Sequence, residues 1–142
     1  MPDGNFLQRT ESGSRKEDTL SHPTIVEAVR AAAERGPQRL ALVSGSERVS
    51  YAQLMQRTDA VASALRGTDD APREIIGLLC SNRPEFAYGL LGALAAGKTV
   101  AVLPTLAPPP LLAMMAADAG VRRVLTTGEL APRLSDAQVQ SL

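Results

Sequence analysis

The sequence predicts an α/β fold: helices packed on a mainly parallel sheet, with a β-hairpin on the N-terminal side. Three observations carry this reading. Glu74–Cys80 (EIIGLLC) and Thr99–Leu103 are short apolar runs of the kind that forms strands covered on both faces. Between them, Phe86–Ala96 contains no charged residue, so a helix here has no polar stripe and is buried on both sides. Strand, helix and strand in that order form a right-handed crossover in a parallel sheet, and Val121–Thr126 supplies a third strand of the same set.

The remaining elements follow in chain order. Met1–Leu20 is polar and charged, buries little, and reads as a disordered tail over residues 1–20. Residues 21–142 read as one α/β domain. Thr24–Arg35 is a helix with Ile25, Ala28, Val29, Ala32 and Ala33 on one face, stopped by Gly36 and Pro37. Arg39–Ser44 and Glu47–Ser50 are strands of a hairpin around Ser44-Gly45-Ser46, with Gly45 expected at positive φ. Ser50 and Gln53 stand three apart, as a capping box requires. Leu54, Thr58, Val61, Ala62 and Leu65 then repeat at helical spacing up to Gly67. Thr68–Arg73 is a polar loop. Ser81 or Asn82 is expected to cap the buried helix, Pro84 to lie in its first turn and Gly97 to end it. Pro104–Pro110 is an exposed connection into a helix over Leu111–Ala119, which Gly120 ends. Beyond Thr127 the sequence reads as helix or loop. The three outer helices, at 24–35, 50–66 and 111–119, are expected to cover one face of the sheet, leaving an apolar patch and a sheet edge open elsewhere.

Composition removes several function classes. Fifteen basic residues balance fifteen acidic ones, and thirteen of the basic residues are scattered arginines, so there is no electrostatic case for nucleic acid or an anionic membrane. Aromatics are only 3%, too few for a base-stacking platform. The longest apolar helix falls short of the roughly 20 residues a membrane span needs. The polar N-terminal stretch lacks the apolar run of a signal peptide, which predicts a cytoplasmic location. A single cysteine, Cys80, excludes an internal disulfide and a cysteine-based zinc site.

The search for chemistry is mostly negative. There is no GxGxxG after a strand and no GxxxxGK[ST], hence no phosphate loop of either kind. Ser44-Gly45-Ser46 lacks the flanking glycines of a nucleophile elbow. Cys80 closes an apolar strand and reads as core. His22 is the only histidine, and no nucleophile or orienting carboxylate is placed beside it. Asp69-Asp70 reads as a solvated loop pair rather than a metal site. Lys98 and Glu85 complement the two ends of the buried helix as dipole partners. Met114-Met115 reads as core filling. No catalytic, cofactor-binding or metal residue is assigned.

Three stretches nevertheless form a recognisable ordered set. Val49-Ser50-Tyr51-Ala52-Gln53-Leu54 resembles the [LV]-[TS]-Y-x-[EQ]-L opening of the adenylate-forming superfamily. Ile76 to Phe86 (IGLLCSNRPEF) resembles its strand, turn and helix with N-x-P-E-[FW]. Leu94 to Val100 (LAAGKTV) resembles its L-K-A-G-A segment, with Ala95 where the family has lysine. That superfamily holds acyl-CoA synthetases and the adenylation domains of nonribosomal peptide synthetases. The resemblance implies a partial N-terminal domain and a parent reaction in which ATP and a carboxylate give acyl-AMP. It implies ATP and Mg²⁺ for a full-length member. The family's Ser/Thr/Gly-rich loop with its lysine, and the later nucleotide motifs, have no counterpart here, where the only lysines are Lys16 and Lys98. The expectation is therefore a truncated or split ligase piece, inactive by itself and without a cofactor of its own. Its expected partner is the missing remainder or a second copy. The alternative is a stand-alone interaction module with the same fold.

Overall fold

The structure is a computed structural model that describes residues 23–67, 73–134 and the backbone of 138–141. The tail at 1–20, Lys16, His22, Asp69, Asp70 and most of the 68–73 loop lie outside the described residues.

Helix α1 (Ile25–Arg35) begins at Thr24, whose hydroxyl accepts from Glu27 N–H while the Glu27 carboxylate accepts from Thr24 N–H. The helix packs on two later helices through Val26 and Val29, while Ile25 is 56% exposed and Ala28 is exposed. The inward face is thus rotated from the one expected, because Val26, not Ile25, is directed at the apolar cluster around Val49, Leu54 and Leu91.

Strands β1 (Leu40–Ser44) and β2 (Glu47–Ser50) pair antiparallel as a separate two-stranded sheet, and Gly45 takes φ +59 at the turn. Helix α2 (Tyr51–Arg66) starts on the Ser50–Gln53 capping box, with both reciprocal bonds formed, and buries Leu54, Met55, Thr58, Ala62 and Leu65. That burial set matches the helical spacing closely, with Met55 added and Val61 half-buried.

The main sheet has the order β4-β3-β5-β6, all pairs parallel. Its strands are β3 (Ile75–Leu79), β4 (Thr99–Val102), β5 (Arg123–Thr126) and β6 (Gln138–Ser141). The three expected strands are present and parallel. β6 is a correction, since the sequence past Thr127 reads as helix or loop. QVQS carries a single apolar residue, and only its pairing with β5 makes it a strand. β4 is a second correction. Its apolar run predicts cover on both faces, but it is the sheet's edge, and Val102 is 54% exposed.

Helix α3 (Pro84–Ala95) links β3 to β4, and α4 (Pro109–Asp118) links β4 to β5. Gly97 and Gly120 end their helices at φ +73 and +70, where a side chain would be strained. The N-cap of α3 is Arg83, without a side-chain capping bond, rather than Ser81 or Asn82. Ile76, Leu78, Cys80 and Leu125 meet Leu65 of α2 and Ala93 of α3 on one face. Leu79 and Val124 meet Leu103, Ala107, Leu112 and Ala116 on the other. Helix α4 therefore lies opposite α2 and α3, and the outer helices do not share one face as expected. Both faces are covered because β3 alternates its side chains between two helical layers.

Candidate functional site

In open parallel sheets, ligands bind outside the carboxyl ends of the strands, where the winding direction reverses. Here β3 is followed outward to β4, and the chain then crosses to β5 on the other side of β3. The reversal lies between β3 and β5. Cys80, Ser81, Asn82 and Arg83 leave β3 at that point, and Thr127, Gly128 and Glu129 leave β5.

One ion pair spans the gap. Arg83 Nη1 donates to Glu129 Oε1 at 2.9 Å, and Arg83 Nε donates to Glu85 Oε2 at 3.1 Å. The guanidinium is 40% exposed, so these pairs order the loops more than they stabilise the fold. A groove of about 500 Å³ opens alongside, between β1 and the start of α3. Leu42, Val43, Pro84 and Phe86 form its apolar wall, with Asn82 and Arg83 as its polar side. Glu85 is thus a partner of Arg83 as well as a first-turn acid of α3.

The thiol of Cys80 is buried at this end, and its pKa is pushed up by burial and by the nearby Glu85 carboxylate. It is a core thiol, as its sequence position predicts, and a poor nucleophile. The hydroxyls of Thr126 and Thr127 are buried without a hydrogen-bond partner among the described residues. Ser44, Gly45 and Ser46 form the hairpin turn, and Ser44 also lines the groove. Met115 packs into the core, whereas Met114 is 61% exposed, so only half of the methionine pair fills the interior. No group of three or more His, Cys, Asp or Glu stands close enough to hold a metal ion among the described residues. No described helix is long and apolar enough to cross a membrane.

Local sequence reasoning misses one cluster at the opposite, amino end of the sheet. Lys98 reads in sequence as a helix-dipole partner. Its side chain is 1% exposed, with Nζ 3.7 Å from Glu74 Oε2. Arg123, the first residue of β5, holds the same carboxylate: Nε to Oε1 at 2.8 Å and Nη2 to Oε2 at 2.5 Å. Arg123 Nη2 also donates to Leu65 O of α2. The Arg123 bonds hold the Glu74 carboxyl below its ordinary pKa against the opposing effect of burial, with a smaller contribution from Lys98. Each residue stands at the amino start of a different strand, so contact among the three requires the parallel register. The arrangement ties the strands together.

The chain matches the profile of the AMP-binding enzyme family over residues 29–142. It is 34% identical over 102 residues to a linear gramicidin synthase of Brevibacillus parabrevis, covering 72% of this chain and 2% of that protein. Against long-chain fatty acid transport protein 1 of Bos taurus it is 31% identical over 134 residues, covering 93% of this chain and 21% of that protein. The fold superposes on the nonribosomal peptide synthetase FmoA3 in its AMPPNP-bound form with TM-score 0.77 at 25% identity, covering 82% of this chain and 13% of that one. It superposes on the N-terminal subdomain of NpsA from Klebsiella oxytoca with TM-score 0.73 at 17% identity, covering 83% of this chain and 30% of that one, which is a likeness of fold. The chain thus spans a small part of the length of these relatives. The motif set, the parallel sheet and the profile match agree, and the chain belongs to the AMP-binding enzyme family.

Proposed function

We propose that this chain is the first part of the N-terminal subdomain of an adenylate-forming ligase and acts only together with the remainder of that enzyme. The observation that carries this is the folded arrangement of the three motif stretches. Ser50 and Gln53 cap α2, Ile76–Phe86 forms strand, turn and helix, and Gly97 turns the chain into β4. The profile match over residues 29–142 covers all of them.

The parent reaction joins a carboxylate to ATP, giving acyl-AMP and pyrophosphate. It needs cations and backbone donors arranged around the α-phosphate and the leaving pyrophosphate. This sequence has no Gly-rich loop with a lysine, and the Lys98 ammonium is buried against Glu74. The chain alone therefore supplies a folded half-site without the transition-state charge stabilisation. ATP and Mg²⁺ belong to the assembled enzyme, whose expected place is the cytoplasm. Exposed Val102 and Leu106, at 54% and 95%, are surfaces that further chain would cover.

ATP–pyrophosphate exchange with a panel of carboxylates tests this. We expect no exchange by the 142-residue chain above the protein-free rate. We expect exchange when it is joined to the polypeptide encoded directly downstream, provided that stretch encodes a Gly-rich lysine loop. Exchange by the chain alone would overturn the reading. So would a downstream sequence lacking that loop in every frame, which would favour the stand-alone module.

A further inference from the structure

A second cavity lies away from the switch point. It has about 170 Å³ and sits where β2, α2 and α3 meet. Arg48 and Glu47 reach it from β2, Gln53, Gln56 and Arg57 from α2, and Tyr88 from α3, over a floor formed by buried Val49. Most of the other described arginines are already engaged: Arg30 with Asp59, Arg66 with a carbonyl, Arg83 with two glutamates, Arg123 with Glu74 and Arg133 with two carbonyls. Arg48 and Arg57 form no salt bridge or hydrogen bond with a described residue, although they line the same notch.

We propose that this notch binds a small oxyanion, a phosphoryl or carboxylate group, between the Arg48 and Arg57 guanidiniums. Two guanidiniums against one Glu47 carboxylate leave one net positive charge. Guanidinium N–H groups match the fork of an oxyanion. The side-chain amide of Gln56 and the Tyr88 hydroxyl add neutral donors. Burial, with Glu47 and Glu85 nearby, pushes the Tyr88 pKa up despite Arg57, so the phenol keeps its proton at neutral pH. Gln53 is held by the capping box, its Oε1 accepting from Ser50 N–H, and its NH₂ group is left to donate. Glu47 can accept from the P–OH of monohydrogen phosphate. The site does not depend on the ligase reading, since none of its residues belongs to the switch-point crevice.

The test is a ¹H–¹⁵N titration of the 142-residue chain with inorganic phosphate, with sodium acetate and with chloride, all at one ionic strength. Expected are saturating shifts confined to residues 47–49, 53–57 and 88, with phosphate, acetate or both, but not chloride. Saturation by phosphate alone assigns the notch to phosphoryl groups, saturation by acetate alone to carboxylates, and saturation by both to either oxyanion. Arg48→Gln/Arg57→Gln should weaken binding at least tenfold, whereas Arg122→Gln, an exposed arginine elsewhere, should leave it unchanged. Both arginines are exposed, so the variant should keep the wild-type spectrum outside the notch. Shifts that rise linearly without saturation, or equal saturation in the double variant, would overturn the assignment.

Discussion

The Arg123 guanidinium grips the Glu74 carboxylate through two bonds, at 2.8 and 2.5 Å, joining the first residue of β5 to the residue before β3. Both side chains are 10% exposed, and Lys98 adds a third charge from the start of β4. Breaking a buried pair by removing one partner is far more damaging than never having had it. Glu74→Gln should therefore lower unfolding free energy by about 3 kcal/mol. Glu74→Leu combined with Lys98→Met and Arg123→Met should recover most of that loss. Urea melts of the two variants check it, and a single variant as stable as wild type would refute it.

The same pair fixes an acid limit. The folded pKa of Glu74 is depressed below its ordinary 4.5. Its stabilisation is thus fully present above about pH 4.5 and is lost as pH falls through the lower folded value. The stability of wild type should fall more steeply below pH 4.5 than that of the Leu/Met/Met variant.

Gly92 of α3 sits against α2 with no room to spare. A Cβ there would stand 2.5 Å from Val61 Cβ and 3.0 Å from Thr58 O. Gly92→Ala should cost about 1–3 kcal/mol by overpacking, despite alanine's better helix propensity. Adding Val61→Ala should recover only a little of it, because that change removes Val61 Cγ1 at 2.6 Å but leaves Val61 Cβ at 2.5 Å and Thr58 O at 3.0 Å. Thermal melts of the single and double variants measure this. A stabilised Gly92→Ala would show that the helices can move apart.

Cys80 should react slowly. A buried thiol whose pKa is raised by burial and by Glu85 offers little thiolate. Maleimide labelling of native chain at pH 7.5 should run at least a hundredfold slower than of urea-unfolded chain. Equal rates would place the sulfur in solvent.

The outer apolar side chains should govern association. Leu106→Ser with Val102→Thr removes two exposed apolar side chains, one at the end of β4 and one in the loop after it, and threonine keeps the β-branched shape of the strand residue. Light scattering at high concentration should show less self-association than wild type. A wild-type chain that stays monomeric and binds no hydrophobic dye would remove the premise.

Much of this fold is legible in the residues themselves, because the informative signals are local. A Ser50–Gln53 spacing, a glycine at 45, 97 or 120 and an apolar run such as IIGLL each state a backbone need within a few positions. Charge partners are different. Lys98 follows a helix end and reads as a dipole partner, and nothing beside it reveals that Glu74 and Arg123 will converge on it. β6 fails for the same reason: QVQS is a strand only because β5 offers it an edge. The switch-point crevice follows from strand order, which no single stretch encodes. The notch at Arg48 and Arg57 joins three elements, and arginines scattered along a sequence do not announce that two will share a cavity.

The strand order also sets a timetable for synthesis. The hairpin, α1, α2 and α3 can assemble around Val49, Leu54 and Leu91 once residue 95 has left the ribosome. β3 cannot. Its partner β4 ends at Val102, and its other partner β5 does not end until Thr126. Until then Ile76 and Leu78 belong to a strand with at least one open edge, and parallel pairing across crossovers is slow by nature. The interval between translating Leu79 and Thr126 is when the nascent chain offers most to a chaperone, and a pause in translation there would lengthen that exposure.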